Sequence, residues 1–276
     1  MGDLPHIPPE IIALTVDHLH NDTAALKACS LVSYAFLPSA QAYLFENIKL
    51  RFRRDGNIKS MRAFISTDPS GVLSHTRDLT LFYPGSFISP SILDEIFDHF
   101  TAFSKVRGLR IHLDTFHFVD RDLTSTSCYF SHFRPTLQSL DLTTFGGNPK
   151  NLLAFITFFP FLEELSLSFY DAGLTAAPDR RVVVLDPNLL TPLRGTLRIL
   201  AGPPDIELIV ELTKVRILYH TLELGEHLLL PETGMSELVA ACAPTLRVLK
   251  LLHVCWSLPF LVLSRELSCD THRPGF

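Results

Sequence analysis

The chain has 276 residues and a mass of 31.0 kDa, with 47% hydrophobic and 19% charged residues. That composition excludes a disordered chain and allows one elongated domain, or a small domain followed by a larger one. Lys and Arg number 24 against 29 Asp and Glu, a net charge of −5, which is the reverse of what a phosphate-tracking nucleic-acid binder carries.

The opening MGDLPHIPPE mixes charge and proline before any apolar run, so it does not read as a signal peptide. The longest apolar runs, Leu152–Leu162 and Leu251–Leu263, are broken by Pro160 and by His253 and Pro259. Both fall short of the roughly 20 residues a membrane span needs, so a soluble chain with no membrane partner is expected. The five cysteines, Cys29, Cys128, Cys242, Cys255 and Cys269, contain no C-x-x-C pair. A disulfide framework and a zinc knuckle are therefore not expected, and a cytoplasmic or nuclear setting is.

Ile7-Pro8-Pro9-Glu10 reads as a helix start, since proline suits a first turn and an acidic side chain suits the dipole there. Ile12, Val16 and Leu19 then form one helical stripe. Asn21 or Asp22 caps a second helix carrying Leu26, Cys29 and Val32, and a third runs through Ser39–Glu46. Three short helices make a thin core. Ile11, Leu31, Phe36, Leu37 and Phe45 remain over. They either pack on the rest of the chain or form a patch for a partner.

The spaced set Ile7-Pro8-Pro9-Glu10-Ile11-Ile12, Val16, Leu19, Asp22, Leu26, Cys29-Ser30-Leu31-Val32-Ser33 and Leu44-Phe45 resembles the F-box, over about residues 4–48. The segment CSLVSYAFLP is similar to the CSLVSRxWLP of F-boxes from mushroom-type fungi. It departs at Tyr34, where Arg is common, and at Phe36, where Trp is usual. The resemblance implies a docking face for a Skp-family adaptor built from Pro8, Ile11, Ile12, Val32, Phe36 and Phe45. Leu19, Leu26 and Cys29 would then be internal to the helical unit.

Residues 49–74 read as a linker or first partial unit, with a strand and a helix around Ile58–Ile65. From 75 to 263 a frame P-x-L-x-x-L-x-L recurs. Pro135–Leu142, Pro160–Leu167 and Pro244–Leu251 fit it, and Val106–Ile111 fits with aliphatic replacements. Arg77–Leu81 and Leu197–Leu200 are partial copies. The first strand leucine falls at 79, 109, 140, 165, 200 and 249, and a degenerate copy is expected at Leu212–Ile217 inside the last, long step. Helical patterns precede several copies: Ile92, Ile96, Phe100 and Phe103 after Ser89-Pro90; Leu152, Ile156 and Phe159 after Asn148-Pro149; and Leu238, Val239 and Cys242 before Pro244.

Polar residues between the leucines argue against strands buried on both faces, as in a closed α/β domain, and for a sheet with one open face. The expected fold is α/β: an N-terminal three-helix F-box, then an irregular leucine-rich-repeat solenoid with a parallel sheet over 75–263, then a frayed tail at 264–276. Strand alternation puts Thr80, Arg110, His112, Asp141, Thr143, Ser166, Ser168 and Lys250 on the outward face, where a target protein would meet them.

The 12 histidines show no metal-ligand spacing, and neither a nucleophile elbow nor a phosphate loop is present. Glu163 and Glu164 are adjacent on a strand and point to opposite faces, so they cannot act as a carboxylate pair. No catalytic residue, metal or cofactor is expected. F-box plus repeats is similar to the substrate receptors of SCF-type ubiquitin ligases. The resemblance implies docking on the Skp adaptor and, through it, on the cullin and RING subunits, while the repeats hold an unknown target. Two alternatives stay open: a non-catalytic F-box-like and leucine-rich-repeat scaffold without ligase function, and an enzyme on an α/β scaffold with a polar pocket at the strand ends.

Overall fold

A computed structural model describes residues 7–51, 63–68, 71–83, 99–113, 130–144, 149–169, 193–201, 212, 217–225, 235–252 and 265–268. Three helices come first: α1 (Pro9–His18), α2 (Thr23–Val32) and α3 (Leu37–Leu44). Pro8 precedes α1 and its carbonyl accepts from the N–H groups of Ile11 and Ile12. The Asp22 carboxylate caps α2, accepting from Ala24 N at 3.0 Å and Ala25 N at 2.9 Å. Pro38 opens α3 in its first turn, so that helix begins two residues ahead of the expected Ser39. Val16, Leu26 and Ala40 form a small core of their own, flanked by Leu19, Cys29, Phe36, Tyr43 and Leu44.

The remainder is built on one nine-stranded sheet whose strands lie in chain order. They are β1 (Asn47–Arg51), β2 (Asp78–Tyr83), β3 (Gly108–Leu113), β4 (Ser139–Thr144), β5 (Glu164–Phe169), β6 (Leu193–Ala201), β7 (Ile217–Gly225), β8 (Val248–Leu252) and β9 (Arg265–Ser268). The first eight pair parallel and β9 pairs antiparallel to β8. Part of the stretch expected as a frayed tail is thus a strand.

The register explains the recurring frame. Ile48, Leu79, Leu109, Leu140, Leu165, Leu197, Leu222 and Leu249 stand side by side across β1–β8. Leu50, Leu81, Ile111, Leu142, Leu167, Ile199, Leu224 and Leu251 make a second row two residues on. Members of both rows from β2 to β7 are almost wholly buried. Each such side chain contributes about 2 kcal/mol by leaving water. The in-register leucines of β6 and β7 are Leu197 and Leu222, which corrects the expected 200 and the copy placed at 212–217. Leu212 is buried but lies outside the strands.

A hydrogen-bond clamp joins successive strands at their entry. The carbonyl of Glu46 accepts from the N–H groups of both Arg77 and Asp78. Arg77 does the same for Arg107 and Gly108, Arg107 for Gln138 and Ser139, and Gln138 for Glu163 and Glu164. Threonine hydroxyls add to it: Thr76 donates to Phe45 O at 3.0 Å, Thr136 to Val106 O at 2.7 Å and Thr245 to Tyr219 O at 2.9 Å.

Behind the sheet lies a belt of phenylalanines. Phe100, Phe103, Phe130, Phe133, Phe155 and Phe159 are buried, with neighbouring ring centroids 5.3–6.4 Å apart. Each such pair adds about 1 kcal/mol beyond area burial, which gives the high phenylalanine content a structural role.

A regular solenoid, expected over 75–263, is not what this sheet forms. Repeat architectures need equivalent units. Among the described residues the layer behind the strands changes from step to step. It holds 3-10 turns at Val72–His75, Phe100–Ala102 and Ser131–Phe133, helices α4 (Pro149–Thr157) and α5 (Met235–Cys242), and helical residues at 63–66 and 212. The fold is a mixed helix-and-strand structure on a parallel sheet. Most of the helix expected after Ser89-Pro90 lies outside the described residues, as does most of that around Ile58–Ile65, although 63–66 are helical.

Gly195 sits at a bulge in β6 with φ +88°, and a Cβ there would lie 1.9 Å from the Glu163 carbonyl oxygen. That carbonyl also accepts from Thr196 N at 2.7 Å, so it cannot retreat without breaking the clamp. Gly71 also has positive φ, +64°, but a Cβ added there would meet nothing within 4 Å. Gly71→Ala should therefore cost about 1 kcal/mol of strain alone. Gly195→Ala should cost clearly more, about 3 kcal/mol or above, and urea unfolding of the two variants side by side measures the difference.

Candidate functional site

Two surfaces stand out. The first is on the helical unit. Burying Ile12 and Val16 on one stripe of α1 leaves the next stripe outside, where Ile7, Ile11 and Leu14 are about half exposed. At the end of α2, Leu31, Val32 and Tyr34 are 87%, 79% and 85% exposed. Of the six residues expected to face an adaptor, Pro8, Ile11 and Val32 are exposed. Ile12 is turned inward at 7% exposure. Phe36 packs on the small helical core and Phe45 on the sheet core. Both are part-covered, Phe36 adding to a helical core of only three fully buried residues. Leu14, Leu31 and Tyr34 take their place on the surface, with Ile7 at the edge of α1.

The helices are tied together and to the sheet by polar contacts. The Tyr43 hydroxyl on α3 donates to the Asp17 carboxylate on α1. This bond, with burial and the charges of Asp17 and Glu46, raises the tyrosine pKa. At the junction Arg77 pairs with Glu46 at 3.4 Å.

The second surface is the outward face of the sheet. Its middle row is Lys49, Thr80, Arg110, Asp141, Ser166, Arg198, Glu223 and Lys250. The row beyond it carries Arg51, Phe82, His112, Thr143 and Ser168. All eight residues expected to meet a target lie in these two rows. Arg110 is exposed, and Thr80, His112, Asp141, Ser166, Ser168 and Lys250 are half-buried. Thr143 is buried at 7%, and its hydroxyl shares a 2.7 Å hydrogen bond with His112 Nδ1.

The two halves of this face differ in chemistry. Over β5–β8 the charges are consumed internally. Glu223 lies 2.7 Å from Arg198 Nε and 3.3 Å from Lys250 Nζ, and Arg198 also reaches Glu164 at 3.6 Å. Ser139 donates to the same Glu164 carboxylate at 3.3 Å. Over β1–β3 cations meet an aromatic ring instead. Lys49 Nζ and the Arg51 guanidinium lie 5.2 and 5.6 Å from the centroid of Phe82, and His112 stacks against it at 6.2 Å.

Arg198, Glu223, Lys49, Arg51 and Phe82 were not among the expected target residues. Arg198 follows Leu197 in the frame and was legible once that leucine was chosen over Leu200. Lys49, Arg51 and Phe82 alternate with Ile48, Leu50 and Leu81 and carry the same signal.

Two buried groups that could act as nucleophiles are held in their neutral forms. Cys242 is buried and its thiol is pushed up to about 11 by desolvation. The Tyr219 hydroxyl is buried without a hydrogen-bond partner, and burial, then the nearby Cys242, holds its pKa far above the ordinary value. Both stay protonated and inert at neutral pH. No group of three or more His, Cys, Asp or Glu among the described residues is placed to hold a metal ion, and no described helix is long and apolar enough to cross a membrane. No family model matches the chain, and no curated protein or solved structure matches it.

Two measurements follow from these contacts. Glu223→Gln removes the carboxylate that separates Arg198 from Lys250, and should cost about 1–2 kcal/mol in urea unfolding, less at high salt. The Tyr43 pKa is raised in the folded chain, so the neutral hydroxyl is the stabilising form. Its contribution is complete below the unfolded value of 10.0 and disappears as pH rises through the higher folded value. Tyr43→Phe should therefore lower stability at pH 7, and the gap from wild type should narrow in the alkaline range above 10.0.

Proposed function

We propose that this chain is the substrate-receptor subunit of an SCF-type ubiquitin ligase. The helical unit is an F-box that docks on a Skp-family adaptor, and the outward face of the sheet holds a target. The observation that carries this reading is a mismatch within the first 44 residues. The three helices have a core of Val16, Leu26 and Ala40, yet leave Ile11, Leu14, Leu31, Val32 and Tyr34 in water. Exposed apolar side chains on so small a unit favour a partner that covers them. They fall in the segment whose residues resemble the F-box.

In this reading the chain contributes binding only. The adaptor links it to the cullin and RING subunits, and the target is brought within reach of the transfer machinery, which raises effective concentration without new chemistry. The clamp at Glu46 and the Arg77 pair support that arrangement by tying the helices to β1 and β2. No cofactor is called for.

Ile11→Asp with Val32→Asp tests the adaptor contact at exposed positions, so the helices should still form by circular dichroism. Co-purification with recombinant Skp adaptor should fall about tenfold or more. Phe36→Asp is the contrasting variant, because it strikes the helical core and should melt the unit. Adaptor binding undiminished by the double change removes this interface. Failure of the wild-type chain to bind any Skp adaptor favours the scaffold without ligase function.

A further inference from the structure

The outward face of the sheet is not uniformly mixed in charge. Over β5–β8 each cation of the middle row has a carboxylate at 2.7–3.6 Å. Over β1–β3 the two outward rows read Lys49, Thr80, Arg110 and Arg51, Phe82, His112, with no carboxylate in either. Lys49 and Arg110 are exposed and have no ion pair among the described residues. Lys49 rests against Phe82, which orders it without neutralising it, and Arg51 lies over the same ring. His112 is fixed by Thr143, giving the floor a defined shape.

We propose that this corner of the sheet binds a short acidic peptide segment. Lys49 and Arg110 supply donors for two carboxylates, and Phe82 with His112 supplies a flat floor for an apolar or aromatic residue between them. The inference rests on the reading of the sheet as a target platform and adds the chemistry of the target.

The dimensions fit. Lys49 and Arg110 are two strands apart in register, about 10 Å. An extended peptide advances about 7 Å for each pair of residues that point the same way. Two acidic residues four apart, about 13 Å, therefore meet the long Lys49 and Arg110 side chains, and the residue midway points the same way, over Phe82. Because Lys49 and Arg51 are already held, less side-chain entropy is lost on binding.

The same surroundings select against a longer polyanion. Asp141 stands beside Arg110 on β4, and Asp78 lies in the row below Thr80. Beyond Asp141 the face carries Glu164 and Glu223, already committed to Arg198 and Lys250. A nucleic-acid strand crossing the sheet would run over these carboxylates, and the chain as a whole carries −5. A peptide of a few residues ends before it meets them.

The test is fluorescence anisotropy with the full chain and three labelled probes. They are a peptide of about ten residues with Glu flanking a central Phe, the same peptide with every Glu replaced by Gln, and a single-stranded RNA of matched charge. The Glu peptide should bind, more weakly as salt rises, and the Gln peptide should bind about tenfold or more weakly. Lys49→Glu with Arg110→Glu should lose that binding, Lys49→Gln with Arg110→Gln should reduce it, and Arg247→Glu, an exposed cation outside the site, should leave it unchanged. Thermal melts check that all three variants fold. Equal affinity for Glu and Gln peptides, no effect of the double changes, or preference for RNA overturns the proposal. Adaptor co-purification is run on the same samples. Retained adaptor binding with no peptide binding sinks this inference alone. Peptide binding without adaptor binding sinks the ligase reading and leaves this site standing.

Discussion

The structure depends on keeping eight strands in one register. Two aliphatic side chains per strand, two residues apart, must align with the same pair on each neighbour before either row is dry. Shifting a strand by one residue would exchange leucines for the polar residues between them. The register is set at the strand entries, where one carbonyl takes two N–H groups from the next chain segment. Glu46, Arg77, Arg107 and Gln138 perform this in turn, so each strand from β2 to β5 is placed by the one before it. The clamp itself is made by main chain, and the side chains of these residues are polar.

This division explains how one fold carries a stable interior and a chemically varied exterior. Inward positions are held to leucine, isoleucine or valine by packing, and phenylalanines fill the layer behind them. Outward positions alternate with them and answer only to water and to their cross-strand neighbours. Over β5–β8 those neighbours form the chain Glu164, Arg198, Glu223, Lys250, which stabilises the sheet and uses up its charge. Over β1–β3 Phe82 replaces the carboxylates. The helical unit follows another rule. Its core is too small to shelter all its apolar side chains, and those it leaves out lie on α1 and at the end of α2.

Much of this was legible in the chain itself. The L-x-x-L-x-L frame located β2, β3, β4, β5 and β8 to within a residue or two, since period-two alternation and the preceding proline or turn leave little choice. The Asp22 cap and the prolines at 8 and 9 marked the first two helix starts. Where sequence reasoning slipped, the cause was physical. In β6 the bulge at Gly195 and a nine-residue strand offer several leucines, so the frame points to Leu200 where the register uses Leu197. In β7 no proline precedes the strand, so the copy was sought near Leu212. Arg198 and Glu223 were lost with those two registers. Ile12 was counted with a docking face by analogy of motif, while its place on the stripe with Val16 already pointed inward. The uneven layer behind the sheet left less trace, because 3-10 turns are too short to carry a period.

The last strand has a consequence for assembly. A sheet whose strands all run the same way, in chain order, presents one kind of edge at β1 and the matching kind at the other end, which is the geometry from which head-to-tail filaments grow. Here β9 is four residues long and runs against β8. A second copy arriving by its own β1 meets neither the direction nor the length that β2 offers within the chain. Reversal of one short strand thus gives the two ends of the sheet unlike edges, differing in both direction and length.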